Sequence, residues 1–142
     1  MEAQAALDSM RGAGLRLTPQ RRAVVAALAG SKIHPDVEQV AAAAAAHAPG
    51  LSLSTVYKIV HELRDLGLVR EMQVGGTTRI DPDLDHHLHI VCDECGAIAD
   101  THIPKDVSRS LACAAAHAGA TAVSFEIVIR GRCSRCGGAC RP

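Results

Sequence analysis

The chain has 142 residues, of which 48% are apolar, and its 15 basic and 15 acidic residues give a formal net charge of zero. Tyr57 and Phe125 are the two aromatic residues, which argues against modules that stack single-stranded nucleic acid on aromatic rings. No apolar run is long enough to span a membrane, and the N-terminus does not have the pattern of a signal peptide. We therefore expect a cytoplasmic protein with an aliphatic core and no membrane partner.

The N-terminal half predicts four helices followed by a two-stranded hairpin. The helices are predicted over residues 3–13, 18–30 and 36–47, and from Ser52 or Ser54 to residue 66. Thr18-Pro19 is typical of an N-cap followed by proline at the first helical position. The hairpin is predicted in LVREMQVGGTTRID, with its turn at Gly75-Gly76. Helices followed by such a hairpin have the order of a winged helix-turn-helix.

The C-terminal half predicts short strands and one helix. LHIVC and AIADTHI form a second hairpin, residues 104–118 form a helix with Cys113 as a core residue, and TAVSFEIVIRGRC forms a further strand. The acidic run DPDLD interrupts the periodicity and predicts a domain boundary. The predicted fold class is α+β, with a winged-helix domain over 1–82 and a small α/β domain over 83–142.

Two Cys-x-x-Cys pairs are the strongest chemical signal in the sequence. They are Cys92 with Cys95 and Cys133 with Cys136. Four thiolates of this spacing predict a tetrahedral structural zinc site that ties together the ends of the C-terminal domain. The alternative of two redox pairs lacks the βαβ pattern that such pairs accompany. Cys140, in the tail, is interpreted as a spare thiol.

A second set of candidate ligands consists of imidazoles and carboxylates. Its members are His34, Asp81, His87, His89 and Asp100. Such harder ligands suit Fe²⁺, Mn²⁺ or Zn²⁺, and two carboxylates would neutralise a divalent cation. His87 and His89 are two residues apart and would leave the same face of a strand. The alternative is a solvated loop rich in acidic residues and histidine.

The sequence resembles the ferric uptake regulator (Fur) family of bacterial metal-dependent repressors over nearly its whole length. The resemblance lies in LRLTPQR (15–21), HPDVE (34–38), STVYKIVHEL (54–63), GLV (67–69), HHLHIVCDECG (86–96) and CSRC (133–136). It implies a homodimer with an N-terminal winged helix, a C-terminal dimerisation domain and a regulatory metal between them. The implied regulatory ligands are the five histidines and aspartates named above.

The acidic ligands connect the chain with one branch of that family. Aspartate at positions 81 and 100, with Asp81 eleven residues before Cys92, resembles the peroxide-sensing PerR branch, whereas the iron-sensing branch usually has glutamate. Leu88 stands where many members have a ligating aspartate, and Ser124 and Phe125 stand near the position of a further histidine. We therefore do not expect the family's additional metal site, nor His86 as a ligand.

The resemblance also implies which residues contact double-stranded operator DNA. The helix that opens near Ser54 matches the family's recognition helix, whose N-terminal side chains reach base edges in the major groove. The expected base-contacting residues are Ser54, Thr55, Tyr57 and Lys58. The expected phosphate-contacting residues are Arg16, Arg21, Arg22 and Arg79.

The sequence leaves three functions open beside a peroxide-sensing repressor with structural Zn²⁺ and regulatory Fe²⁺ or Mn²⁺. The first is a sensor of iron, manganese or zinc availability without peroxide chemistry. The second is a zinc-dependent hydrolase, although no H-E-x-x-H motif is present. The third is a structural zinc protein that only dimerises. We expect the chain not to be an enzyme.

Overall fold

A computed structural model describes residues 1–31, 33–74, 76–85, 87–122, 125 and 127–137. The chain divides into two compact units, Met1–Leu84 and Asp85–Pro142. Four residues that the sequence analysis singled out, Gly75, His86, Ser124 and Cys140, lie outside the described residues. Across the described part of the chain, no helix is both long enough and apolar enough to cross a membrane.

The first unit contains four helices and a two-stranded antiparallel hairpin. The elements are α1 (Ala3–Gly12), α2 (Pro19–Ala29), α3 (Val37–Ala45), α4 (Leu53–Asp65), β1 (Arg70–Val74) and β2 (Thr77–Asp81). The hairpin register pairs Arg70 with Asp81 and Val74 with Thr77. Gly76 in the turn has a φ of +80°, which glycine adopts without the steric cost that a Cβ would bring.

Polar side chains cap three of these helices at their N-termini. Thr18 Oγ1 accepts a hydrogen bond from the Arg21 N–H at 3.3 Å, and Ser52 Oγ accepts one from the Thr55 N–H at 3.3 Å. Asp36 and Gln39 form a reciprocal capping box at α3. Each side chain satisfies an N–H that has no partner within its helix. α4 therefore begins after Ser52.

The core of the first unit is built from aliphatic side chains of all four helices and of β2. The apolar residues of α4 recur at helical spacing on one face, and Val56, Ile59, Val60 and Leu63 are buried. They belong to the same cluster as residues of α1, α2, α3 and β2, including Ile80. The core thus fixes α4 by one face and leaves the opposite face at the surface.

The second unit contains a three-stranded sheet and one helix. The elements are β3 (His87–Cys92), β4 (Ile98–His102), α5 (Lys105–His117), β5 (Ile127–Gly131) and a 3₁₀ turn (Ser134–Cys136). The strand order is β4-β3-β5, with β3 antiparallel to β4 and parallel to β5. β3 is therefore central, and all its residues except Ile90 are buried.

The helix of the second unit corrects one expectation. Although α5 forms where the sequence predicts it, none of its residues is buried in the single chain. Cys113 is exposed, so the prediction that it is a core residue is wrong. The helical period of the sequence shows which residues share a face, but it does not show whether this chain covers that face.

Candidate metal centres and nucleic-acid interface

The two cysteine pairs come together at one end of the second unit. Cys92 ends β3, Cys95 lies in the turn before β4, and Cys133 and Cys136 follow β5. The parallel register that pairs Cys92 with Gly131, together with the hydrogen bond from the Asp93 N–H to the Gly131 oxygen at 2.9 Å, brings the two pairs to the same sheet end.

The four thiol groups have the spacing that a tetrahedral zinc site requires. Their sulfur atoms all lie within 4.8 Å of one another, and Cys95 Sγ is 3.8 Å from Cys133 Sγ. Zinc–sulfur bonds of about 2.3 Å in a tetrahedron place the sulfur atoms about 3.8 Å apart. The residues therefore fit a structural Zn²⁺ ion.

The thiols do not ionise equally in this cluster. The N–H groups of Cys133 and Cys95 stabilise the Cys92 thiolate and lower its pKa to about 6. Hydrogen bonding with the Cys133 thiol, and then with that of Cys95, raises the pKa of Cys136 to about 12. Neighbouring thiolates repel one another, which favours keeping protons on some of the four sulfur atoms. A divalent cation that binds all four sulfur atoms must therefore displace these protons.

Two ion pairs connect the first cysteine pair with the strand that leads to the second. Arg130 Nη1 lies 3.2 Å from Asp93 Oδ1, and Arg132 Nη2 lies 2.8 Å from Glu94 Oε1. Both pairs are exposed and contribute little to stability. No local sequence pattern predicts these pairs, because they depend on the parallel register of β3 and β5.

In the first unit, His34 and Asp81 form a buried polar pair. His34 lies in the segment before α3 and Asp81 ends β2, and their side chains are 4% and 1% exposed. His34 Nε2 is 3.6 Å from Asp81 Oδ1, and the Asp83 N–H donates to the same oxygen at 2.8 Å. Two ligands of one cation with bonds near 2.1 Å lie about 3–3.5 Å apart, so this pair fits metal binding after a small approach.

In the second unit, the backbone and Asp100 orient the two histidines of β3. His87 Nδ1 is 2.7 Å from the Asp85 oxygen, and His89 Nδ1 is 3.0 Å from Asp100 Oδ1. Because a carbonyl or carboxylate oxygen accepts, each Nδ1 carries the proton and each Nε2 presents its lone pair. Metal-binding histidines are commonly oriented in this way. The rings are in edge contact, with centroids 4.5 Å apart.

The solvent-facing side of α4 carries the residues that the sequence assigns to DNA. Ser54, Tyr57 and Lys58 are exposed, while Thr55 is half-buried with its hydroxyl 2.8 Å from Ser52 Oγ. His61 follows on the same face with its ring centroid 6.4 Å from that of Tyr57. The helix thus presents polar groups from its first turn onward.

The four candidate phosphate-contacting arginines divide into two groups. Arg16 and Arg22 are exposed. Arg21 instead binds the Glu62 carboxylate through Nε and Nη2, both at 2.8 Å. Arg79 donates to the side chains of Asp36 and Gln39. Arg21 and Arg79 therefore each contact a protein carboxylate in this structure, and phosphate contact by the four arginines stays a prediction.

The sequence model of the ferric uptake regulator family matches residues 12–130. The peroxide-responsive repressor PerR of Staphylococcus epidermidis is 35% identical over 105 residues, which cover 73% of this chain and 70% of that protein. The ferric uptake regulator of Helicobacter pylori, whose structure has three functional metal-binding sites, is 22% identical with a TM-score of 0.82, covering 99% of this chain and 97% of that one. GAS PerR in its Zn-Zn form is 28% identical with a TM-score of 0.53, covering 99% and 90%. The chain therefore belongs to the ferric uptake regulator family, whose members are transcriptional regulators and not enzymes.

Proposed function

We propose that this chain is a metal-dependent transcriptional repressor that senses hydrogen peroxide. The observation that carries the proposal is the pairing of a buried imidazole with a carboxylate within each unit, His34 with Asp81 and His89 with Asp100. Histidine and aspartate at these positions, rather than glutamate, favour peroxide sensing over iron sensing. The identity with a peroxide-responsive repressor supports the same choice.

The regulatory cation in this proposal is Fe²⁺ or Mn²⁺, and Zn²⁺ is the alternative. Its ligands are His34, Asp81, His87, His89 and Asp100. Nitrogen and oxygen donors suit these cations, whereas the four thiolates suit a structural Zn²⁺. The presence of one set of thiolate ligands and one set of histidine and aspartate ligands supports one structural metal and one sensed metal.

The proposed coupling between metal and DNA follows from the position of the ligands along the chain. A cation bound by residues 34 and 81 together with residues 87, 89 and 100 favours the arrangement of residues 1–82 and 83–142 that satisfies all five. If operator DNA favours the same arrangement, metal and DNA strengthen each other's binding. Thermodynamic linkage requires that DNA raise the affinity for the metal by the same factor by which the metal raises the affinity for DNA. Loss of the metal then weakens repression.

The DNA-binding role is proposed for the N-terminal residues 1–82. Ser54, Thr55, Tyr57 and Lys58 on α4 face the bases in the major groove. The exposed Arg16 and Arg22 contact phosphates, which positions the helix without specifying sequence. The surface position of α4 in the first unit supports this assignment.

The dimerisation role is proposed for residues 83–142, with a second copy of this chain as the partner. The second unit has exposed aliphatic side chains on its sheet and its helix. They are Ile90, Val107, Val128 and Ile129, each between 38% and 48% exposed. Burial of such side chains stabilises association by about 25 cal/mol per Å² of apolar area, and α5 has no buried residue without a partner.

The peroxide response is proposed to be the oxidation of a ligand histidine, His34 or His87. Bound Fe²⁺ would catalyse cleavage of the peroxide O–O bond with no net change in its own oxidation state. In the net reaction, one oxygen atom of H₂O₂ replaces the hydrogen of an imidazole C–H group and becomes a 2-oxo group, and the other oxygen leaves as water. The imidazole loses two electrons, the peroxide gains them, and the side chain gains one oxygen atom.

Peptide mass spectrometry after peroxide treatment tests this proposal. Purified protein is loaded with Fe²⁺ or with Mn²⁺, treated with H₂O₂ and digested with trypsin. We expect a gain of about 16 Da, one oxygen atom, in the peptides that contain His34 or His87, with Fe²⁺ only. Fragmentation distinguishes oxidation of His87 from that of His86, His89 and His102 in the same peptide.

Operator binding, measured on the same metal-loaded samples, separates peroxide sensing from its alternatives. Metal-dependent operator binding without histidine oxidation supports a sensor of iron, manganese or zinc availability. Operator binding that requires no second metal supports a structural zinc protein. The hydrolase alternative is set aside, because the family consists of regulators.

A further inference from the structure

We infer that Arg79 is a positioning residue for the regulatory cation and not a contact to DNA. This inference rests on the proposed function, because it assigns His34 and Asp81 to that cation. Arg79 lies on β2, and Asp81 follows two residues later, so both side chains leave the same face of the strand. The side chain of Arg79 is 23% exposed, so the protein covers most of its surface.

One nitrogen of Arg79 binds both side chains of the α3 capping box. Arg79 Nη1 lies 3.3 Å from Asp36 Oδ2 and 3.1 Å from Gln39 Oε1. The other Asp36 oxygen accepts from the Gln39 N–H at 2.8 Å, and Gln39 Oε1 accepts from the Asp36 N–H at 3.0 Å. The guanidinium therefore ties β2 to the N-terminus of α3.

The Arg79 contact is one of three successive contacts between β2 and the segment before α3. His34 pairs with Asp81 at 3.6 Å, the Ile80 N–H donates to the Pro35 oxygen at 2.8 Å, and Asp36 pairs with Arg79. The candidate ligands thus form the first contact, and Arg79 forms the third. We call these three contacts the β2–α3 ladder.

The β2–α3 ladder connects metal binding with the helices of the first unit. His34 and Asp81 must approach each other by a few tenths of an ångström to share a cation. The contact between Arg79 and Asp36 limits how far β2 and the segment before α3 separate before the metal binds. α3 contacts both α2 and α4, so a cation that draws His34 towards Asp81 also acts on the end of α3. Outer partners of this kind typically change metal affinity 10- to 100-fold when removed.

The test compares Arg79→Met with Arg22→Met, which removes an exposed arginine of α2. Two quantities are measured: the Mn²⁺ affinity of the DNA-free protein, by electron paramagnetic resonance of free Mn²⁺, and the salt dependence of operator binding at saturating Mn²⁺. We expect Arg79→Met to weaken Mn²⁺ binding roughly tenfold and to leave the salt slope unchanged. Arg22→Met should leave Mn²⁺ affinity unchanged and reduce the salt slope by about one.

Two further variants establish that the effect comes from the ladder. Asp36→Asn keeps an oxygen that caps α3 but replaces the acceptor of Arg79, so Mn²⁺ binding should weaken in the same direction. The double variant, Arg79→Met with Asp36→Asn, should lose no more Mn²⁺ affinity than the more affected of the two single variants. The reason is that the two residues act as one unit. Arg79→Lys, which keeps the charge, should recover part of the affinity.

Three results would overturn the inference. They are a reduced salt slope with unchanged Mn²⁺ affinity in Arg79→Met, no change in either quantity, or additive losses in the double variant. Amide hydrogen exchange at Gln39 in metal-free protein provides an independent measurement, since loss of Arg79 should accelerate it and an unchanged rate contradicts the ladder. If operator binding by the wild type does not depend on Mn²⁺, the proposed function is refuted. The hydrogen exchange rate at Gln39 then decides whether the β2–α3 ladder exists.

Discussion

Arg21 on α2 and Glu62 on α4 form an ion pair with two hydrogen bonds, in which Arg21 Nε and Nη2 each lie 2.8 Å from a different oxygen of Glu62. The side chains are 16% and 17% exposed. The hydrogen bond from Arg21, together with its charge, lowers the pKa of Glu62. The pair joins the helix that carries Arg22 to the helix that carries the proposed base-contacting residues.

We expect Glu62→Gln to destabilise the first unit at neutral pH. Hydrogen bonds to charged groups contribute about 1.5–3 kcal/mol when partly buried, and the variant keeps only a neutral acceptor. Because the folded-state pKa of Glu62 is lowered, its contribution is complete above the unfolded pKa of about 4.3 and is lost as the pH falls through the folded value.

Urea unfolding at pH 7 and at pH 3 measures this effect. The difference between the wild type and Glu62→Gln should be largest at pH 7 and should shrink in acid. Glu2→Gln, which changes an exposed glutamate, is the matched control and should have little effect at either pH. An equal difference at both pH values would mean that the ionised pair is not the source of the stability.

The sequence predicted helices and their caps better than it predicted side-chain partners. Thr18 and Asp36 were identifiable as helix starts, because a cap depends on residues three positions apart. Arg21 and Glu62 are 41 residues apart, and no local pattern shows that their helices meet. The sequence therefore does not show that the Arg21 guanidinium binds a carboxylate, because that contact depends on the packing of α2 against α4.

The candidate metal sites show the same division between local and distant information. The spacing of Cys92 and Cys95 predicted a metal-binding turn, because both thiols belong to one tight turn. The link between Asp100 and His89 depends on the β3–β4 register, which pairs these two residues directly. The exposure of Cys113 depends on what covers α5, and the sequence of one chain does not contain that information.

We expect Cys95→Ser to release zinc and to unfold the second unit. The free energy with which four thiolates bind structural zinc contributes directly to the stability of the fold. The small sheet has few buried residues, so little else would stabilise the unit after zinc is lost. Metal content by mass spectrometry and far-ultraviolet circular dichroism measure the two losses. Cys113→Ser, which changes the exposed thiol of α5, should retain zinc. Zinc retention by Cys95→Ser would show that this cysteine is not a ligand.

We expect Tyr57→Ala to weaken binding to the operator more than binding to unrelated DNA. A side chain that reads base edges contributes to specific binding, with about 1–3 kcal/mol for each good contact. The operator is first selected from random duplexes with Mn²⁺-loaded protein, and the affinities are then compared at one salt concentration. Lys105→Met, on α5, controls for a general charge effect. Equal losses on both DNAs would place Tyr57 outside base recognition.

We expect His89→Ala to abolish metal-dependent operator binding while the protein keeps its structural zinc. His89 donates its Nδ1–H to Asp100, so the variant removes one proposed ligand and the partner that orients the Asp100 carboxylate. Operator binding with and without Mn²⁺, together with zinc content, measures both parts. His117→Ala, at the exposed end of α5, should bind metal and operator as the wild type does. If His89→Ala loses zinc as well, the histidines and the thiolates do not form separate sites, and the proposed division between a structural and a sensed metal fails.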